Sequence, residues 1–362
     1  MSIESPMTPA LPVVPRAVLR TRAPRRRTGD RRPALEVVQP PQPEVAFDIE
    51  AAVELGAWLR SVGYRFTTVT PESHRRVNAR PGTEWSQSLR DMFGWSRPFT
   101  DVALPLCLLD RLERGHVIRR GPGDVLSSRL RFSTLGDLLC AHSAFPTTAP
   151  DAVFFGPDTY RFAALIRRAL AADRHAHVER LVDVGCGSGA GGLLAAQLLA
   201  DQRPRVVLAD INPAALRCAQ VSAILAGVPE VRTVESDLLR NVAGDLDLVL
   251  CNPPYLVDAA ARTYRHGGHT YGAEFALRVV VESLPRLAPG GRLVLYTGAA
   301  VVEGVDQFRK AVEPLLRDAG VRFEYEELDP DVFGEELDGP AYGDVERIAA
   351  VGLIARRPGG HS

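Results

Sequence analysis

Lysine is all but missing from this chain: Lys310 is the single one among 43 Lys and Arg residues. A skew that strong reads as a compositional bias of the coding genome, so an arginine here is no sign in itself of a need for guanidinium fork geometry. Net charge is missing too. At −1 over 362 residues, there is no overall field to draw the chain to nucleic acid or to an anionic membrane. No apolar run is long enough to span a bilayer, and the N-terminus lacks the continuous apolar stretch of a secretory signal. The five cysteines (Cys107, Cys140, Cys186, Cys218 and Cys251) are odd in number and show no paired spacing. That argues against a disulfide framework and for free thiols in a reducing cytoplasm. What is present is an ordinary globular balance, 46% hydrophobic and 24% charged, on a chain long enough for two domains.

Three textures follow one another. Residues 1–45 are rich in Pro and Arg, as in "PRAVLRTRAPRRRTGDRRP", and hold too little periodic apolar surface to fold, so a disordered basic tail is expected. A basic arm contacting RNA and an organelle transit peptide stand as alternatives, the many prolines speaking against the second. Residues 46–150 open on "FDIEAAVELGAWLRSVGY", apolar at helical spacing and ending on Gly, and "LPLCLLDRLERGHVIRRG" reads as another helix. "DVLSSRLRFSTLGDLLCAH" alternates around a central Gly, as strands do. The expectation is a small helical domain with a β-ribbon, of winged-helix character, that either recognises substrate or supports its neighbour.

Residues 151–362 alternate short apolar runs with helical stretches. "RLVDVG", "RVVLAD", "VRTVES", "LDLVLC" and "GRLVLYTG" are strands; "GGLLAAQLLADQ", "PAALRCAQVSAILAG" and "EFALRVVVESLPRLA" are helices. That order implies parallel pairing with helices on both faces. Two last strands, 322–329 and 347–357, have no long helix between them and should form an antiparallel edge hairpin. The expected fold class is α/β: a doubly wound, mostly parallel, seven-stranded, Rossmann-like sheet, with its ligand at the strands' carboxyl ends.

Those ends carry the chemistry. The first strand runs into "DVGCGSGAGG", where Gly185, Gly187 and Gly189 let the backbone turn sharply and approach a ligand. Asp210 ends the second strand, placed to accept from two ribose hydroxyls or to cap the next helix, a duty Asn212 could equally serve. Asp237 ends the third, placed to accept from an adenine amine or to cap a turn. The fourth ends on Asn252-Pro253-Pro254-Tyr255. Two prolines remove two donors and fix two φ angles, so this turn is stiff. A Pro-Pro turn closing a strand would account for it alone; four neighbouring strand ends with polar or glycine features facing one crevice argue for a site.

"DVGCGSG", "LADINP", "ESDLL" and "CNPPYL" together resemble the motifs of class I S-adenosylmethionine-dependent methyltransferases, over about residues 151–357. The Asn-Pro-Pro-Tyr subset methylates nitrogen, and within it the chain resembles the HemK-type release-factor glutamine methyltransferases and other methyltransferase small domain enzymes, in which a Gly-Gly loop and a helix likewise follow the motif. "VFFGPDTYRFA" resembles the lead-in that covers the cofactor there. The resemblance implies S-adenosylmethionine as cofactor, held by Asp183, Gly185, Gly187, Gly189, Asp210, Asp237 and Asn252, and methyl transfer at Asn252, Pro253, Pro254 and Tyr255. Asn252 and the Pro253 carbonyl would accept both N–H bonds of an NH2 group, and Tyr255 would stack on it.

The acceptor is expected to be a protein glutamine amide, with an RNA or DNA base, or a small-molecule amine, as alternatives. An inactive cofactor-binding protein is the reading from a different class. No metal is expected, since no cysteine or acid completes a ligand set around His175 and His177 or His266 and His269. Cys186 and Cys251 read as small buried neighbours of the ligand. The acidic, turn-rich segment 329–344 reads as the link between the last two strands, with a place in the substrate cleft as the alternative.

Overall fold

Two caps and a glycine turn organise the N-terminal region. In the computed structural model, which describes residues 46–173, 176–257, 264–269 and 271–359, α1 (Ile49–Ser61) starts where the Asp48 side chain accepts from the Ala51 N–H at 2.7 Å. Thr70 caps α2 (Pro71–Asn78), with Pro71 in its first turn, the position where a missing donor costs nothing. α3 (Leu89–Phe93) and α4 (Leu106–Arg114) follow. The helix expected through 118–120 ends at Gly115, and β1 (Ile118–Arg120) pairs antiparallel with β2 (Leu126–Ser128) instead. β3 (Leu130–Leu135) and β4 (Leu138–Ser143) form a second hairpin around Gly136-Asp137. Gly136 has φ +63°, the positive φ that a two-residue hairpin loop needs. The expected tail over 1–45 lies outside the described residues, as does His175.

The rest is one large sheet. Its strands are β5 (Arg180–Val184), β6 (Arg205–Asp210), β7 (Val231–Glu235), β8 (Leu246–Cys251), β9 (Leu287–Val302), β10 (Val305–Asp306), β11 (Arg322–Asp329) and β12 (Arg347–Arg356), in the order β11-β12-β9-β8-β5-β6-β7 with β10 folded back on β9. β7, β6, β5, β8 and β9 run parallel; β12 is antiparallel to both β9 and β11. The covering helices are α5 (Pro157–Ala171), α6 (Ala190–Leu198), α7 (Pro213–Ala226), α8 (Glu274–Ser283) and α9 (Gln307–Asp318). Strand alternation sorts the two faces: Leu181, Leu248 and Val294 pack with α5 and α6, while Val182, Val249 and Leu295 pack with α8 and α9. Burial on both faces is why these strands are apolar nearly throughout.

α7 is buried on both sides. Ala219 and Ala223 face the sheet layer, and Ala215, Cys218, Val221 and Leu225 enter the core of residues 46–141 together with Leu55, Phe93 and Phe132. The Ser222 hydroxyl also accepts from the Ala141 N–H at 3.0 Å. Ala46–Ser362 is accordingly one compact unit. No described helix is long and apolar enough to cross a membrane.

Candidate active site

At the middle of the sheet, β5 lies between β6 and β8, so the connections leave in opposite directions and open a crevice at the carboxyl ends. Val184 pairs with Ala209 on one side and Cys251 on the other. The next residues along, Gly185, Asp210 and Asn252, therefore emerge level with one another and line one cavity of about 300 Å³.

Gly185 and Gly187 have φ of +65° and +53°, and open space surrounds them: a Cβ on Gly185 would meet no atom within 4 Å. Backbone conformation demands glycine there, and the bare wall leaves room for a ligand. Gly189 does something else. It does not line the cavity; a Cβ on it would meet Leu208, Ala219 and Leu193 at 3.0–3.4 Å. Its place is the junction of α6 with the sheet, where the missing Cβ lets that helix pack closely behind the loop.

Asp210 is buried, and each oxygen already holds a backbone donor: Oδ2 accepts from Gly187 N–H and Oδ1 from Asn212 N–H, both at 2.9 Å. Asn212 is the residue that caps α7, accepting from Ala214 N–H at 2.9 Å. A carboxylate oxygen has two acceptor directions, so Asp210 shapes the glycine loop and retains acceptor capacity toward the cavity it lines. Asp183 is deeper, its Oδ2 accepting from Gly192 N–H at 2.7 Å. Burial pushes its carboxyl up to about 7, against the pull of the Gly192 N–H, and the Asp210 charge pushes the same way. Asp210 is raised by burial too, its backbone donors opposing. Asp237 lines the cavity but is engaged by Arg278 at 3.1 Å and Arg240 at 3.3 Å. An adenine amine there would share the carboxylate with two guanidinium groups.

The Asn-Pro-Pro-Tyr turn divides in two. Asn252 lines the cavity, and its side chain makes no hydrogen bond among the described residues. Tyr255 is only 6% exposed, and its hydroxyl donates to Asp158 Oδ2 at 2.8 Å. Its ring lies against Gly298, where a Cβ would come within 2.2 Å of it, and meets Phe333 edge-on at 5.8 Å. Little of that ring is open for stacking. Phe154 and Tyr264, stacked on each other at 5.7 Å and 7°, and Phe333 present the more open aromatic surfaces of the cavity.

Behind the turn, Gly267 and Gly272 pack on its backbone. A Cβ on Gly267 would lie 2.7 Å from the Pro254 carbonyl oxygen, and one on Gly272 would lie 2.2 Å from that of Tyr255. This is why the loop after the motif must be rich in glycine. The same loop is held to the acidic segment by Arg265–Glu336, by Tyr271 O–H to Asp344 at 2.6 Å, and by Val257 N–H to the Tyr342 hydroxyl at 2.8 Å. Segment 329–344 thus joins β11 to β12 and also puts Phe333 in the cavity wall.

Sequence reasoning passed over Asp158, Arg278 and Phe333. Asp158 stands inside the lead-in segment, and its position one residue after Pro157 at a helix start gives it a sufficient local explanation. Burial holds the thiols of Cys186 and Cys251 protonated, well above their usual range. His177 is exposed, and no group of three or more metal-ligating side chains gathers among the described residues.

Residues 163–301 match the model of the methyltransferase small domain family. A release factor glutamine methyltransferase of Deinococcus radiodurans is 34% identical over 141 residues, 36% of this chain and 50% of that protein. Another from Moorella thermoacetica is 33% identical over 175 residues, 45% of this chain and 58% of its own. The ribosomal RNA small subunit methyltransferase C of Pasteurella multocida is 30% identical over 122 residues, 33% of each chain. The chain spans between a third and three fifths of these relatives' length. Residues 163–301, which carry the glycine loop, Asp210 and the Asn-Pro-Pro-Tyr turn at adjacent strand ends of a doubly wound sheet, are thus similar to the methyltransferase small domain family.

Proposed function

We propose that this protein is an S-adenosylmethionine-dependent N-methyltransferase whose acceptor is a planar NH2 group, in the first place a protein glutamine side-chain amide. The observation that carries this reading is Asn252, a cavity-lining residue whose side-chain amide is unengaged among the described residues, while Tyr255 at the end of the same turn is tied down. The residues fit the cofactor: the bare wall at Gly185 and Gly187 admits it closely, and Asp210 has acceptor directions to spare for ribose hydroxyls. When bound, the cofactor supplies an electrophilic methyl group on a sulfonium.

The chain's own part is to hold the acceptor. An amide nitrogen is a weak nucleophile because its lone pair is delocalised. Asn252 Oδ1 and the Pro253 carbonyl accept its two N–H bonds and aim the nitrogen. As the nitrogen turns tetrahedral its N–H bonds become better donors, so these contacts strengthen toward the transition state. The prolines keep that acceptor pair from moving.

A base amine in RNA or DNA is the second reading, favoured by Phe154, Tyr264 and Phe333 on the cavity wall, since every base has a face to stack. A basic tail contacting RNA belongs with it. The relatives' names include both kinds of acceptor. The free cysteines fit a reducing, cytoplasmic setting for either. Incubating the protein with radiolabelled cofactor and a cell extract, then separating protein from nucleic acid, tests the acceptor: label in protein is expected, and label confined to nucleic acid moves the reading to a base. Asn252→Ala should cut kcat by roughly 10²–10³ with cofactor affinity kept. A folded variant that turns over normally would return Asn252 to plain architecture.

A further inference from the structure

Three elements distant in sequence meet at one carboxylate. Asp158, in the first turn of α5, accepts from Tyr255 O–H at 2.8 Å on Oδ2 and from Tyr296 O–H at 2.7 Å on Oδ1. These partners lie 97 and 138 residues away along the chain. Arg161 adds a contact to Oδ1 at 3.2 Å and reaches on to Asp329, the last residue of β11, at 2.7 Å. All three members are nearly closed to solvent: Asp158 is 4% exposed, Tyr255 6% and Tyr296 0%.

Such a cluster is a poor way to fill a core. Burying a carboxylate carries a desolvation cost that its partners only partly return, and apolar side chains of the same volume would pack at no such cost. What the polar version supplies is direction. A phenol that must donate to a fixed oxygen has one orientation, whereas a phenylalanine ring in the same slot has latitude. Gly298 extends the arrangement by leaving one face of the Tyr255 ring a slot that any Cβ would fill.

We infer that Asp158 is a positioning residue for methyl transfer, acting through Tyr255 to hold Asn252 and the Pro253 carbonyl on the acceptor nitrogen. This rests on the N-methyltransferase reading above. The path is short: between Asn252 and Tyr255 stand only Pro253 and Pro254, whose rings fix their φ angles. A shift at the tip of the tyrosine therefore passes along the backbone to the asparagine and is not absorbed. Gly267 and Gly272 grip the same turn from behind. With the tyrosine anchored in front and the glycines behind, the motif is held on both sides, and the Asn252 amide is the part left free to bind.

The test compares Tyr255→Phe, Asp158→Asn, the double variant and Tyr296→Phe. Three quantities are read: amide hydrogen exchange over residues 252–257, the rate of label transfer from S-adenosylmethionine into the extract fraction that the wild type labels, and cofactor affinity by calorimetry. Tyr255→Phe and Asp158→Asn should each cut the transfer rate by on the order of tenfold, the size of losing or weakening one buried hydrogen bond. Each should raise exchange at Tyr255–Val257 and leave cofactor affinity as it was. The double variant should be no slower than the slower single, because both remove one coupling. Tyr296→Phe, which leaves the Tyr255 bond intact, should leave exchange at Tyr255–Val257 near wild type.

Unchanged exchange in Tyr255→Phe, or rate losses that simply add in the double variant, would overturn the inference. So would variants that melt earlier yet transfer methyl at the wild-type rate, the signature of a staple that serves only the fold. A wild-type protein that labels neither fraction counts against the N-methyltransferase reading alone. The exchange arm still judges the anchor then, a rise supporting it and no change refuting it.

Discussion

Asp183 should make the protein less stable as the pH rises, and Asp183→Asn should remove that loss. The carboxyl is 2% exposed, with one backbone donor, Gly192 N–H at 2.7 Å, and the like charge of Asp210 nearby. Burial dominates and raises its pKa from 3.8 to about 7. The sign follows directly. Between about pH 4 and pH 7 the folded protein keeps a proton on Asp183 that the unfolded chain has released, so stability from this group is full at low pH and is lost as pH rises through the folded value. Holding one proton more than the unfolded chain is worth about 1.4 kcal/mol for every pH unit crossed, so the whole window amounts to about 4 kcal/mol. Asparagine has nearly the same shape, its Oδ1 can keep the Gly192 bond, and it does not titrate. Urea unfolding of both proteins from pH 5 to pH 8 is the assay. The constant cost of the substitution drops out if only the difference between the two curves is followed with pH. That difference should move in favour of the variant by about 1.4 kcal/mol per pH unit up to pH 7 and then level off. Parallel curves would mean that Asp183 is ionised throughout and that its burial is offset in some other way.

Asp210→Ala should lower cofactor affinity by about 2–4 kcal/mol in calorimetry, through two lost hydroxyl acceptors. Because Gly187 N–H and Asn212 N–H also lose their partner, it should lower the melting temperature as well; unchanged affinity would remove Asp210 from the cofactor site. Gly298→Ala places a Cβ 2.2 Å from the Tyr255 ring, and the overpacking should cost about 1–3 kcal/mol of stability while slowing methyl transfer more than it weakens cofactor binding. Equal stability by denaturant titration would show that the ring has room to move. A shortened protein beginning at Ala46 should melt at the same temperature as the whole chain, since residues 1–45 carry little apolar surface to offset the entropy of ordering them; a lower melting temperature would show that the tail packs.

The sequence by itself carried the strand-helix alternation of residues 151–362, the parallel sheet with its closing antiparallel strand, and the placing of Gly185, Asp210 and Asn252 at neighbouring strand ends. These are local signals. Apolar runs covered on both faces, glycines at positive φ and a Pro-Pro stop act within a few residues, so they can be read without knowing what packs against them. The length of β9, which runs on from the expected 291–298 to Leu287–Val302, was already less legible, because its extra pairing is set by β8 at Leu287 and by β12 and β10 beyond Gly298.

Partner choice belonged to the tertiary structure alone. Asp158 looked like an ordinary residue of a helix's first turn until the fold set Tyr255 and Tyr296 on its two oxygens. Asp237 looked like a free acceptor until Arg278 arrived from α8. Gly189 matched a ligand-loop pattern, yet its missing Cβ makes room for Leu208 and Ala219. α7 read as one more helix covering the sheet, and only the packed chain showed that one of its sides belongs to the core of residues 46–141. A side chain's chemistry is written in the sequence; its pKa, its partner and the open space beside it depend on contacts between distant segments, and those exist only once the chain has folded.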